Sequence, residues 1–159
     1  MAVPPHLEPF WRSFAAIAQS PVDERFYEAF YFGDSEALAD ELAGLVLAGK
    51  KRATAGSVWS AEAEGKRLPQ PGDLSIVTNW SGEPLCVIET VSVNIWPFNQ
   101  VQADFAAAEG EGDGSLDFWR KAHRSYFSRE CLAAGREFDE SMLVACEHFK
   151  VLYSVAGGA

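Results

Sequence analysis

Apolar residues recur at helical spacing in LEPFWRSFAAIAQ, residues 7–19, where Phe10, Phe14, Ile17 and Ala18 predict a helix packed by its aromatic edge. Pro21 ends it, and Phe26, Tyr27, Phe30, Tyr31 and Phe32 then read as an aromatic patch in a short irregular segment. A second helix is punctuated more clearly: Asp34 or Ser35 can cap its start, Leu38, Leu42, Leu45 and Val46 form its stripe, and Gly49 suits a left-handed end. The pattern then becomes strand-like in RATAGSV, residues 52–58, and alternates again over 74–79, 85–93 and 143–153. The turn residues Ser81-Gly82 join the first two of those alternating stretches as a hairpin, and LPQPGD before them is a loop. PFNQVQADFAAA predicts a short helix, and GSLDFWRKAHRSYFSREC a longer one capped by Ser115 and striped by Leu116, Trp119, Ala122, Tyr126 and Phe127. The order of elements indicates an α+β domain, a small and mostly antiparallel sheet or barrel with helices over its openings.

Composition narrows the function classes. The 159 residues suffice for one domain with a real core. Asp+Glu 23 against Lys+Arg 13, a net charge of -10, argues against broad duplex binding, which depends on neutralising phosphates. A local basic pocket for a small anionic or single-nucleotide ligand stays open, because fields focus in clefts. No apolar run approaches the ~20 residues of a membrane span, and no secretory leader is read. Cys86, Cys131 and Cys146 are odd in number and lack C-x-x-C spacing, so a reduced, cytoplasmic chain is expected. His6, His123 and His148 show no ligand spacing, and neither metal nor cofactor is expected. Nothing in the sequence sets an oligomeric state.

Three stretches carry candidate chemistry. GKKRAT, residues 49–54, is either a basic helix end set against the dipole or the wall of a site. A neutral Lys51 would take the Thr54 hydroxyl proton, and a charged one would bind an oxyanion or phosphate; the sequence leaves both open. AEGEGDGS, residues 108–115, is either a solvated acidic loop or a glycine-rich approach that brings Glu111 to a ligand and keeps a lysine site near neutral. In HRSYFSRE, His123 reads as a packing residue, while Arg124 and Ser128, four apart, line a pocket if that face turns inward. Glu89, in an otherwise apolar strand, reads first as edge-exposed and second as a pocket residue.

GKKRAT matches a G-x-K-x-x-T signature, and it is followed in order by PGDLSIVTN, CVIETVSV, AEGEGDGSLDFWRKAH and CEHFKVLY. Together these resemble the ASCH family (the activating-signal-cointegrator homology domain) over residues 26–153. Residues 1–25 are read as a helical extension packed on that domain and 154–159 as a tail. The resemblance implies a PUA-like fold, a small mostly antiparallel β-barrel with surrounding helices. It also implies RNA or a small nucleoside or nucleotide as ligand. The preferred expectation is a hydrolase acting on acylated nucleosides or single-stranded RNA, with Lys51 activating, Thr54 attacking and Glu111 orienting the substrate. Arg52, Trp59, Glu89, Arg124 and Ser128 are expected to bind that substrate. The alternatives are a non-catalytic RNA- or nucleotide-binding module that stacks bases on Trp59 or Trp80, and a protein-interaction module docking on Tyr27 and Tyr31. Some relatives carry arginine where this chain has Gly56, which removes a positive charge and disfavours an anionic substrate. On this reading Lys51 can be truncated without loss of the fold.

Overall fold

Most of the predicted periodicities become elements in the structure, a computed structural model that describes residues 2–155. Helix α1, Glu8–Ile17, is followed by strand β1, Phe26–Phe30, helix α2, Glu36–Leu47, strand β2, Ala53–Ser57, and helix α3, Val58–Ala63. Strands β3, Leu74–Thr78, and β4, Pro84–Pro97, precede helices α4, Ala103–Glu109, and α5, Leu116–Ala133, and strand β5, Leu143–Ser154, closes the order. The α+β class is as expected. Ser35 and Ser115 cap α2 and α5, each accepting a backbone N–H three residues on. Among the described residues no helix is long and apolar enough to cross a membrane.

The strands form one mixed sheet in the order β1-β3-β4-β5-β2, in which β1 runs parallel to β3 and the other pairings are antiparallel. The expected barrel is not closed. Its closing pair would be β1 and β2, but these are the two ends of the sheet, and residues of both face a cleft instead of each other.

The aromatic segment at 26–32 is also corrected. It is largely a strand, and Phe26, Tyr27 and Phe32 are buried, while Tyr31 stays exposed beside Trp80. Alternation was hidden there because aromatic residues occupy both faces. Two smaller differences have local causes. Trp59 lies on a short helix that follows β2 directly, and the helix expected from Pro97 starts only at Ala103, because β4 runs through Pro97 and a single 3-10 turn follows.

One sheet face carries Ala53, Val144 and Cys146 against Phe105 and Trp119 and Phe127 from α4 and α5. Helix α2 packs Leu42 and Val46 on Val77, Ile88 and Phe149. Helix α1 is turned by about one residue from the predicted stripe, so that Leu7, Trp11 and Phe14 are buried against Phe26, Leu74 and Ile76, while Ile17 is exposed. The turn is favoured because the Trp11 indole N–H then donates to Asp23 at 2.8 Å while its rings contact Phe14 and Phe26. Trp11 anchors the extension to the sheet. Trp11→Ala is expected to lower unfolding stability by about 3–5 kcal/mol in urea titration; a loss below about 1 kcal/mol would contradict that role.

Candidate active site

The end of α2 sets the site. Gly49 takes a positive φ of 78°, and the N–H groups of Lys50 and Lys51 both return to the Leu45 carbonyl, at 2.9 and 3.1 Å. The next residue bridges two elements through its backbone: the Arg52 N–H donates to Ala108 at 2.8 Å, and its carbonyl accepts from Phe149 at 3.0 Å. Lys51 is thereby turned inward and is 1% exposed, while the Arg52 side chain points out. From the other side, Gly110 (φ 67°) lies so close to the Lys50 carbonyl that a Cβ there would sit 2.2 Å from its oxygen. Only glycine permits that approach, so the acidic stretch is locked onto the basic one.

The Lys51 ammonium donates to the Ala53 carbonyl at 2.8 Å, to Glu109 at 2.7 Å and to Glu111 at 3.0 Å. Three N–H groups meet three acceptors, and the Phe32 ring lies 5.2 Å from the nitrogen. Glu109, also 1% exposed on its side chain, accepts in addition from the Trp119 indole and from His123 Nε2, the latter at 3.1 Å. His123 stacks on Trp119 with ring centroids 4.2 Å apart, and its Nδ1 lies 3.0 Å from the Trp119 carbonyl. Both ring nitrogens thus face acceptors, the arrangement of an imidazolium.

The protonation states follow from these contacts. Burial by itself would depress the Lys51 pKa, but Glu109 and Glu111 outweigh it and hold the ammonium above its ordinary value. Burial likewise opposes the charge on His123, and Glu109 overcomes it and raises that pKa. Glu109, despite its burial, is held as a carboxylate below the usual range by Lys51 and His123. Glu111 is pushed up, first by burial and then by Glu109, against the pull of Lys51. Glu109, Glu111 and His123 offer ligand atoms within 4.8 Å of one another. Lys51 already bonds both carboxylates and His123 carries a proton toward Glu109, so the set is compensated internally and does not fit a divalent ion.

Beside this network opens a cleft of about 490 Å³. Tyr27 and Phe32 line one wall, Thr54 and Gly56 the β2 edge, and Tyr126 the α5 side. No protein group among the described residues hydrogen-bonds the Thr54 hydroxyl. Strand register sets Glu147 of β5 directly opposite Thr54, and both line the cleft. The Thr90 hydroxyl donates to Glu147 at 2.6 Å. Burial, aided by Glu28 and Asp73, nonetheless raises the Glu147 pKa to about 7. The other cations lining the cleft are spoken for: Lys66 pairs with Glu28, and Arg129 with Asp34 at 2.8 Å.

The structure brings Lys51, Thr54 and Glu111 to one cleft and leaves the five expected substrate-binding residues outside its lining. Arg52 is exposed, Trp59 is covered by the Arg136 guanidinium 4.3 Å from its ring, and Glu89 pairs with Arg25 and Lys150. Arg124 is bidentate to Glu140, and Ser128 is half-buried elsewhere on α5. Glu109, His123 and Glu147 were not singled out as site residues. For Glu109 the charge balance with Lys51 was a usable signal; for Glu147 none existed without the β2–β5 register. One chemical option is removed: an ammonium with three engaged N–H groups has no lone pair with which to take the Thr54 proton. Lys51 is structural as well, since its truncation strands a buried carboxylate.

A family model described as the ASCH domain matches residues 28–153. The chain is similar to the crystal structure of an ASCH domain from Lactobacillus crispatus JV V101, at 44% identity over 92% of this chain and 93% of that one, with a TM-score of 0.84. It is also similar to a protein of Enterococcus faecalis V583, at 31% identity over 95% of this chain and 90% of that one, with a TM-score of 0.82. Comparison with curated proteins finds no match.

Two outcomes test the network. Lys51→Met is expected to lose about 3–5 kcal/mol of stability by urea unfolding, and Lys51→Met combined with Glu109→Gln to recover part of it, because the stranded charge is gone. Equal loss in both variants would mean that the ion pair is not the source. The raised His123 pKa makes its contribution complete below the unfolded value of about 6.5 and lost as pH climbs through the folded value. Melting temperature is therefore expected to fall from near-neutral to alkaline pH, and more steeply in the native protein than in His123→Gln.

Proposed function

The chain belongs to the ASCH domain family, and we propose that its cleft is the active site of a hydrolase that removes an acyl group from the exocyclic amine of a free nucleoside. The observation that carries this reading is a half-buried threonine hydroxyl, Thr54, that no protein group among the described residues hydrogen-bonds, in a cleft whose lining cations are all engaged by carboxylates. A phosphate entering it would find no free positive partner and would meet Glu64, Glu130 and Glu147 as well. An uncharged nucleoside meets no such penalty, and a cleft of about 490 Å³ falls in the range of small-molecule sites. Single-stranded RNA and nucleotides are disfavoured on the same ground, in keeping with Gly56 in place of an arginine.

The chemistry is an acyl transfer. Thr54 Oγ1 attacks the acyl carbon, the bond from that carbon to the exocyclic nitrogen breaks, and the amine leaves with a proton. Water then cleaves the threonyl ester, releasing the carboxylic acid and restoring the hydroxyl. Glu111, held by Lys51 and facing the cleft, orients the substrate. Lys51 serves by positioning Glu111 and by its charge. Aromatic walls from Tyr27 and Phe32 exclude water around the reacting centre.

Purified protein is expected to release acetate from cytidine acetylated on its exocyclic amine, and Thr54→Val to lower kcat by about 100-fold or more with KM little changed. Single-stranded RNA is expected to be neither bound at physiological salt nor cleaved. Binding of the acylated nucleoside with no acetate release would point instead to a non-catalytic module, and RNA cleavage would overturn the substrate assignment.

A further inference from the structure

We propose that Glu147 is the group that takes the Thr54 proton and returns it to the leaving amine, a catalytic residue across the strand pair from the nucleophile. The inference rests on the acyl-transfer reading above and supplies the base that this reading lacks. Lys51 cannot be that base, because each of its N–H groups already has an acceptor and its nitrogen has no free electron pair. Glu111 is tied by one oxygen to the same ammonium. Glu147 differs from both.

Three observations converge on it. Thr54 and Glu147 are direct partners in the antiparallel β2–β5 pairing, which places their side chains on one face with Cβ atoms about 4.5–5.5 Å apart. Gly56 and Ala145, the next pair on that face, are small and also line the cleft, so the space in front of the two reacting groups is open. Glu147 makes no ion pair among the described residues; its one side-chain partner is the Thr90 hydroxyl on β4. A hydroxyl donor orients the carboxyl without fixing its charge, which a salt bridge would do.

The groups around it suit a proton carrier. Glu28 and Tyr27 face it from β1, Asp73 from the loop before β3, Lys66 from the segment after α3, Thr90 from β4 and Thr54 from β2. Burial, and after it Glu28 and Asp73, favour the protonated form, whereas the Thr90 hydrogen bond and then Lys66 favour the carboxylate. The result is a carboxyl near the midpoint of its titration at neutral pH, where a base and its conjugate acid serve in turn. The steps balance. The carboxylate accepts the Thr54 proton as the oxygen bonds to the acyl carbon, and the acid gives that proton to the departing nitrogen. The carboxylate next takes a proton from water as it attacks the ester, and returns it to Thr54 Oγ1.

Hydrolysis of acetylated cytidine as a function of pH is the test, on the native protein, Glu147→Gln, Glu147→Asp and Thr90→Val, each first shown folded by its melting curve. The native kcat/KM is expected to fall on the acid side with an inflection near pH 7. Glu147→Gln, which keeps the shape and the Thr90 hydrogen bond, is expected to lose about 100-fold or more in kcat and to lose the inflection. Glu147→Asp should restore part of the rate together with the inflection. Thr90→Val, which removes a contact that holds the carboxylate down, should move the inflection to higher pH. A Glu147→Gln protein with native kcat and an unchanged acid limb would overturn the proposal while leaving the hydrolase reading intact. Absence of turnover in the native protein would sink the hydrolase reading and this role with it. Should Glu147→Gln not fold, an unshifted inflection in Thr90→Val would by itself refute the assignment.

Discussion

The buried Lys51–Glu109 pair is the interaction on which the rest of the site depends. Both side chains are almost fully removed from water, and neither charge is tolerable there alone. Their partners show how the desolvation is met: Lys51 uses every N–H, and Glu109 gathers Lys51, the Trp119 indole and His123. The pair joins the hinge after α2 to the end of α4, and through Trp119 and His123 it reaches α5. Three helices and strand β2 are tied at one point, and Glu111 inherits its place from that tie.

The open sheet matters as much. Because β1 pairs with β3 and β2 with β5, the two end strands are held apart, and the space that closure would have filled is available for a ligand. Segregation of charge follows from the same arrangement. The basic residues of the cleft are consumed by the acidic ones that the fold brings beside them, which reconciles a positively charged motif with a chain of net charge -10. A motif that reads as a basic patch in one dimension becomes a neutralised, partly acidic cavity in three.

Much was legible beforehand where a signal is local. The serine caps, the glycine after α2 and the long apolar stripe of α5 are written within a few residues of where they act. Family-specific spacing also carried Lys51, Thr54 and Glu111 to one cleft. The irregular segment at 26–32 failed because strand β1 places aromatic rings on both faces, which erases the alternation that marks a half-buried strand. Arg52, Trp59, Glu89, Arg124 and Ser128 failed for another reason: their residue types suit binding, but direction is set by packing. Arg124 and Glu89 found acidic and basic partners far along the chain, and nothing local announces such pairings.

What the amino-acid order determined by itself is most of the elements, the α+β class and the family, since these rest on periodicity, capping and motif spacing. Only the tertiary structure decided the charge state of Lys51, the burial of Glu109, the pairing of His123 and the placement of Glu147 opposite Thr54. Strand register and burial are collective properties: a one-residue slip of β2 along β5 would turn Thr54 away from Glu147 and into the core. A pKa, in turn, is set by whichever charges and whatever solvent the finished packing leaves around the group. The chemistry of the cleft is therefore a consequence of contacts between residues far apart in the chain, such as Thr54 and Glu147, 93 positions apart (147 − 54).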